Sequence, residues 1–169
     1  MHYIGIFSGI FWTEFFIKAI VEKTRKTGIT KKLFGGKILL KKVHNKGFAM
    51  NVMDKKQKFV AMASLVLTGM LSVAAIVFGS KRNGLIKAGL AFVLGGAFSN
   101  TYDRLHRKYV VDYISLGVKN KHLQKIVFNL ADLCILAGAV LIAMGGMIHE
   151  NIGKRKICSK SDGGLGSAQ

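Results

Sequence analysis

The amino-acid sequence predicts a mainly α-helical membrane protein, with four spanning helices and a small strand-bearing element at the membrane surface. Three observations lead there. Half of the 169 residues are hydrophobic, yet the formal net charge is +18. Mean hydropathy is positive, at +0.33. The apolar residues are gathered into blocks with the charges pushed between them, and a bilayer-crossing helix needs about 20 apolar residues to span ~30 Å of hydrocarbon.

The first block is residues 3–21, YIGIFSGIFWTEFFIKAIV. It has no basic n-region and no small-residue cleavage site, so it reads as a retained helix rather than a removable signal peptide. The second, 59–80, runs 22 residues without a formal charge. The third, 84–101, is charge-free from Ala88 to Tyr102 beyond its end, with Lys87 able to snorkel to the headgroups. The fourth, 128–148, begins FNLAD and is uncharged from Leu133 to His149. Between the first two helices, GITKKLFGGKILLKKVHNKGFAMNVM (28–53) has β-favouring runs divided by Gly35, Gly36 and Gly47. A second such segment is RKYVVDYISL (107–116). The expected surface element therefore covers about 30–54 and 103–118. These parts make one domain over 1–149, and the basic 150–169 reads as a disordered tail. No internal repeat is apparent.

The basic residues flank hydrophobic blocks, and no nucleic-acid recognition module accompanies them. Attraction to anionic phospholipid headgroups, at about 1 kcal/mol per Lys or Arg near the surface, accounts for them without nucleic acid. Four spans put both termini on one side. The two large loops then hold 18 Lys and Arg against 7 on the terminus side, which by the positive-inside rule points the loops to the cytoplasm. Cys134 in an apolar run and Cys158 in the tail form no disulfide framework. The five histidines show no ligand spacing and no HExxH occurs, so neither a metal nor another cofactor is expected. Gly95-Gly96 and Gly145-Gly146 read as close-packing contacts between helices.

Only eight acidic residues occur. Glu22, Asp54, Glu150 and Asp162 read as solvated charges flanking helices. The other four lie in or beside spans, where an ionisable group costs about 2.5–3.5 kcal/mol and so marks a functional position. Glu14 has Lys18 four residues on, on the same helix face, as a pairing partner. Asp103 precedes Arg104 and suggests a local ion pair or a headgroup contact. Asp112, within VVDYI, and Asp132, within FNLADLCIL, project from the same side of the membrane. Position alone leaves a catalytic pair, a proton relay and a packing role open for them. Two adjacent carboxylates keep one proton between them, which supplies an acid and a base for amide hydrolysis.

LGGAFSNTYDRLHRKYVVDYISL (94–116) and FNLADLCILAG (128–138) resemble the diagnostic blocks of bacterial lipoprotein signal peptidase, signal peptidase II. That family has GGAxGNxxDR, then a VxDF/Y strand, then FNxAD. Glu14 to Lys18 resembles its first-helix D-x-x-x-K, and HNKGFAMN its N-x-G-x-A element. The resemblance implies an aspartic endopeptidase of the bacterial cytoplasmic membrane, with four spans and a small β-rich extracytoplasmic cradle. It implies cleavage of diacylglyceryl-modified prolipoproteins before the lipidated cysteine, by a monomer. It makes Asp112 and Asp132 the catalytic pair and places Asn45, Asn100, Arg104, Asn129 and Ala131 at substrate-binding positions. Glu14, Lys18, Gly47, Gly96 and Asp103 support them. Asn129 also suits the cap of the fourth helix.

Two departures stand out. Ser99 replaces the glycine before Asn100, and Glu14 replaces aspartate. They motivate an alternative, a weak or inactive relative that binds lipidated peptides in the membrane. A transporter using the carboxylates as a proton relay is disfavoured, because relay carboxylates are expected nearer the midplane.

Overall fold

The computed structural model describes residues 2–48, 53–79 and 84–162. Along the chain it has α1 (His2–Thr24), β1 (Lys31–Leu33), β2 (Ile38–Asn45), α2 (Gln57–Gly79), α3 (Gly84–His106), β3 (Val110–Leu116), α4 (Lys121–Lys125), β4 (Val127–Phe128) and α5 (Leu130–Asp162). Within the expected surface element, residues 49–52 lie outside the described residues, as do Ser80 of the second expected helix and 163–169 of the tail. Helix α5 continues to Asp162, where a disordered tail was expected from 150. Its extension carries Lys and Arg, which are good helix formers.

Among the described residues, three helices are long and apolar enough to cross a membrane: His2–Thr24, Asp54–Val77 (a 3-10 turn joined to most of α2) and Leu130–Ile148. The third expected span, α3, is a helix of the same 23-residue length as α1. It is less apolar because four glycines and the run Ser99, Asn100 and Thr101 dilute its apolar residues, alongside Lys87, Asp103 and Arg104.

The helices are turned inside out relative to a water-soluble bundle. On α1 the buried residues are Glu14, Lys18 and Val21, one face at helical spacing, while Ile4, Trp12, Phe16 and Ile20 point outward. On α2 a row including Leu67, Met70, Val73 and Ile76 (78% exposed) faces away from the protein. Such contiguous apolar surface belongs against lipid.

Helix α3 is the centre, packed against α1, α2 and α5. Glycine permits the α3–α5 approach. A Cβ on Gly89 would lie 2.7 Å from the Gly138 carbonyl, and one on Gly96 2.5 Å from the Ala131 carbonyl. Gly95 packs similarly on Ile10 of α1, as expected of Gly95-Gly96. Of the second pair, Gly145 is buried while Gly146 meets nothing within 4 Å of its would-be Cβ, and Gly138, two turns earlier, makes a further close contact with Gly89. Thr68 and Thr101, 2.8 Å apart, tie α2 to α3.

The strands form one antiparallel sheet in the order β1-β2-β3-β4. Three corrections apply to the expected surface element. Residues 103–106 belong to α3, so the second strand starts only at Val110, and β4 was not expected. The β1–β2 turn uses Phe34, Gly35 and Gly36 in left-handed conformation. Between Leu40 and Val43 the register with β3 slips by one residue, a bulge just before Val43 pairs with Asp112. Glu22, expected as a solvated flank, is half-buried. Its carboxylate lies 3.0 Å from His44 Nε2 and 3.5 Å from Lys42 Nζ, joining the end of α1 to β2. Below the sheet, Val21, Val111 and Tyr113 form a small core with Ile17, Leu40 and Leu130 around it.

Candidate active site

Strand alternation divides β3 between two jobs. Val110, Asp112, Ile114 and Leu116 line a cavity of about 750 Å³. Val111 and Tyr113 turn to the core on the other side. Asp132 enters the same cavity from the first turn of α5, as do Asn45, Asn100, Arg104 and Asn129. The two candidate aspartates, 20 residues apart in sequence, are thus brought together by a strand and a helix start.

Asp112 is 3% exposed. Its Oδ2 accepts from Asn45 Nδ2 at 3.0 Å and its Oδ1 from Asn129 Nδ2 at 2.7 Å. Burial pushes its carboxyl up to about 7, and the charge of Asp132 pushes the same way. The two amide hydrogen bonds and Lys18 pull against them.

Asp132 is held by a reciprocal cap. Its N–H donates to Asn129 Oδ1 at 2.9 Å, and its Oδ2 accepts the Asn129 N–H at 3.1 Å. This is a capping box with aspartate in the usual Glu position, and it fixes the carboxylate at the positive end of α5. Its Oδ1 accepts from Asn100 Nδ2 at 2.8 Å. The cap expected at Asn129 is therefore present, and the same side chain grips both aspartates.

Behind these residues lies a buried charged layer. Lys18, 1% exposed, donates to Asn100 Oδ1 at 2.8 Å and to Ser99 Oγ at 3.1 Å. The first bond orients the Asn100 amide so that its NH₂ faces Asp132. Lys18 Nζ is also 3.6 Å from Glu14 and 3.1 Å from Asp103. The Glu14–Lys18 pairing thus agrees with the expectation, but the Asp103–Arg104 pair does not. Asp103 turns inward to Lys18 and Arg107 (3.5 Å), because helical geometry points Arg104 to the cavity face.

Arg104 Nη2 donates to Gly47 O at 3.1 Å, and its buried Nε has no hydrogen-bond partner among the described residues. The Gly47 N–H donates to Asn45 Oδ1 at 3.1 Å, which completes the orientation of that amide toward Asp112. Ala131 is fully buried behind the cavity, its carbonyl against Gly96 and its N–H donated to Glu14 Oε1 at 3.0 Å.

Sequence reasoning missed Tyr113, whose hydroxyl donates to Glu14 Oε2 at 2.7 Å and accepts the Leu130 N–H at 3.2 Å. It also missed the use of Ser99, whose extra side chain accepts from Lys18 instead of obstructing a backbone. The available signal for Tyr113 was the alternation of β3, which must aim the neighbour of Asp112 at the opposite face.

The family model of signal peptidase (SPase) II matches residues 6–148. The lipoprotein signal peptidase of Caldicellulosiruptor bescii is 36% identical over 110 residues, covering 65% of this chain and 67% of that one. The lipoprotein signal peptidase of Lactobacillus johnsonii is 33% identical over 133 residues, covering 75% and 79%. A bacterial membrane enzyme solved by the in meso method at 2.3 Å resolution shares the fold, with a TM-score of 0.76 at 22% identity, over 90% of this chain and 91% of that one.

Proposed function

Because the chain belongs to the signal peptidase II family, we propose that Asp112 and Asp132 are the carboxylate pair with which it cuts lipid-modified prolipoproteins, just before the diacylglyceryl cysteine. The protein is an aspartic endopeptidase, a lipoprotein signal peptidase, carried on several membrane-spanning helices. The observation that carries the site assignment is Asn129, whose one side chain bonds to Asp112 and to the N–H of Asp132.

In this reading Asp112, whose carboxyl burial has pushed up to about 7, holds the shared proton. Asp132, at the N-terminus of α5, is the base. Water sits between substrate and Asp132 and gives up a proton to it while its oxygen attacks the scissile carbonyl carbon. Asp112 passes its proton to the carbonyl oxygen, forming a neutral gem-diol. On collapse, the gem-diol returns one proton to Asp112 and Asp132 delivers its own to the leaving nitrogen, so the C–N bond breaks and both carboxyl groups are reset.

The remaining roles follow from what each group has left to offer. Asn45 and Asn100 spend their NH₂ donors on the two aspartates, so they act by orienting carboxylates. Arg104 lines the cavity beside the two aspartates, and its guanidinium can meet a substrate carbonyl or a lipid phosphate there. Leu133 and Leu136 line the cavity and are partly exposed on the outer face of α5, which supports lateral arrival of the lipid-anchored substrate from the bilayer.

The wider reading has four spans, with α3 the fourth, in the bacterial cytoplasmic membrane, the sheet on its outer face against phospholipid headgroups, and one domain working as a monomer. The charge objection to that orientation weakens once partners are considered. Lys41 donates to Gln124 O and Lys42 to Glu22 O, so part of the positive charge in the loops is structural.

The test is cleavage by purified protein of one precursor with and without the diacylglyceryl group. Cleavage restricted to the lipidated form, with a product mass marking the bond before the modified cysteine, is expected. Equal cleavage of both forms would contradict the substrate assignment.

A further inference from the structure

The first turn of α5 is partly buried, with Ala131 fully so, and its leading N–H groups have no intrahelical partner. Each is satisfied by a different side chain. Asn129 takes the Asp132 N–H, Glu14 takes that of Ala131, and Tyr113 takes that of Leu130. The Tyr113 hydroxyl uses both its capacities at once, accepting from Leu130 and donating to Glu14, which is itself 0% exposed. Burial and the nearby Glu14 charge hold this phenol well above the usual tyrosine range, so it stays a neutral donor. Phenylalanine would fill the same space beside Val21 and Val111 but would strand the part-buried Leu130 N–H and a buried Glu14 carboxylate oxygen.

We infer that Tyr113 is a positioning residue for the reaction: its hydroxyl clamps the first turn of α5, and so Asp132, to the strand that carries Asp112. Adjacent residues of β3 then do complementary work. Asp112 presents one carboxylate to the cavity, while Tyr113, on the opposite face, holds the helix that presents the other. Glu14 is the second half of the clamp, reaching Ala131 and Tyr113 with separate oxygens. This assignment rests on the reading of Asp112 and Asp132 as the reacting pair.

The experiment compares Tyr113→Phe, Glu14→Gln and the double variant with parent enzyme, with Asp112→Asn and Asp132→Asn run beside them. The readouts are kcat and KM per folded molecule, folded fraction being set by thermal unfolding in detergent, and the pH dependence of kcat. A displaced carboxylate weakens the transition state more than substrate binding, so Tyr113→Phe is expected to lower kcat about ten-fold with KM changed less than about two-fold. Its pH profile should shift, and the double variant should lose little more than the worse single one. Parental kcat and pH profile in Tyr113→Phe would overturn the positioning role, as would a loss fully explained by fewer folded molecules or confined to KM. Near-parental cleavage by either aspartate variant would instead overturn the reading of the pair itself, so the two failures are distinguishable.

Discussion

Replacing Asn129 by alanine removes the one side chain that touches both aspartates, and the structure sets the expected size and sign of the effect. The variant keeps the backbone N–H that Asp132 Oδ2 accepts, but loses the bonds of 2.7 Å to Asp112 and 2.9 Å from the Asp132 N–H. Loss of an N-cap costs about 1 kcal/mol of stability. The lost donor to Asp112 matters more in the ionised state, where such a bond is worth about 1.5–3 kcal/mol. Since about 1.4 kcal/mol corresponds to one pKa unit, Asp112 should titrate about one unit higher than in the parent. The sign follows from the site. Asn129 is among the groups that lower the Asp112 pKa, so removing it lets burial and the Asp132 charge raise it further. If Asp112 must be protonated to act, the alkaline limb of kcat/KM, near pH 7 in the parent, moves upward in Asn129→Ala. The assay is cleavage of a lipidated precursor over about pH 5 to 9 in constant ionic strength. A limb that stays in place or moves down would refute the assignment of the shared proton to Asp112.

Lys18→Met takes the cation from buried Glu14 and the nearer of two cations from Asp103, and breaking such a buried pair costs about 3–5 kcal/mol. Thermal unfolding in detergent should show a markedly lower Tm, and an unchanged Tm would contradict the charged layer. Gly96→Ala forces a Cβ toward the Ala131 carbonyl, so it should cost about 1–3 kcal/mol and reduce cleavage by moving the turn that bears Asp132. Gly146→Ala, which meets open space, should leave cleavage unchanged and raise Tm slightly. A single cysteine at exposed Lys31, with Cys134 and Cys158 replaced by serine, should react with a membrane-impermeant reagent added outside the cell. Protection there, with labelling only from the cytoplasm, would contradict the orientation of the sheet.

Much of this architecture was legible because a bilayer imposes coarse rules. Apolar blocks announced the helices, and acidic residues are so few that Asp112 and Asp132 stood out. FNLAD disclosed a cap because Asn129 and Asp132 are three residues apart, within one helical turn. What remained hidden depends on contacts distant in sequence. Asp103 beside Arg104 suggested a local pair; the local partner is Arg107 instead, and the shorter contact is with Lys18, 85 residues away, which only the packing of α1 on α3 supplies. The Gly89–Gly138 approach depends on the rotation of two helices, which spacing within either helix does not report. The two-residue β4 is too short for a hydrophobic pattern and exists because β3 offers an edge. Ser99 and Glu14 were read as departures from a family pattern. In the fold, Ser99 accepts from Lys18 and the extra methylene of Glu14 belongs to a side chain that reaches both Ala131 and Tyr113.

The central claim is that hydrolysis needs both carboxylates. Its most direct test is single-turnover cleavage of a lipidated precursor by Asp112→Asn and Asp132→Asn, each purified and shown by thermal unfolding to be folded. Either substitution removes half of the acid–base pair while keeping side-chain size, so both variants should still bind precursor and neither should release signal peptide at a measurable rate. Near-parental cleavage by either folded variant would contradict the claim.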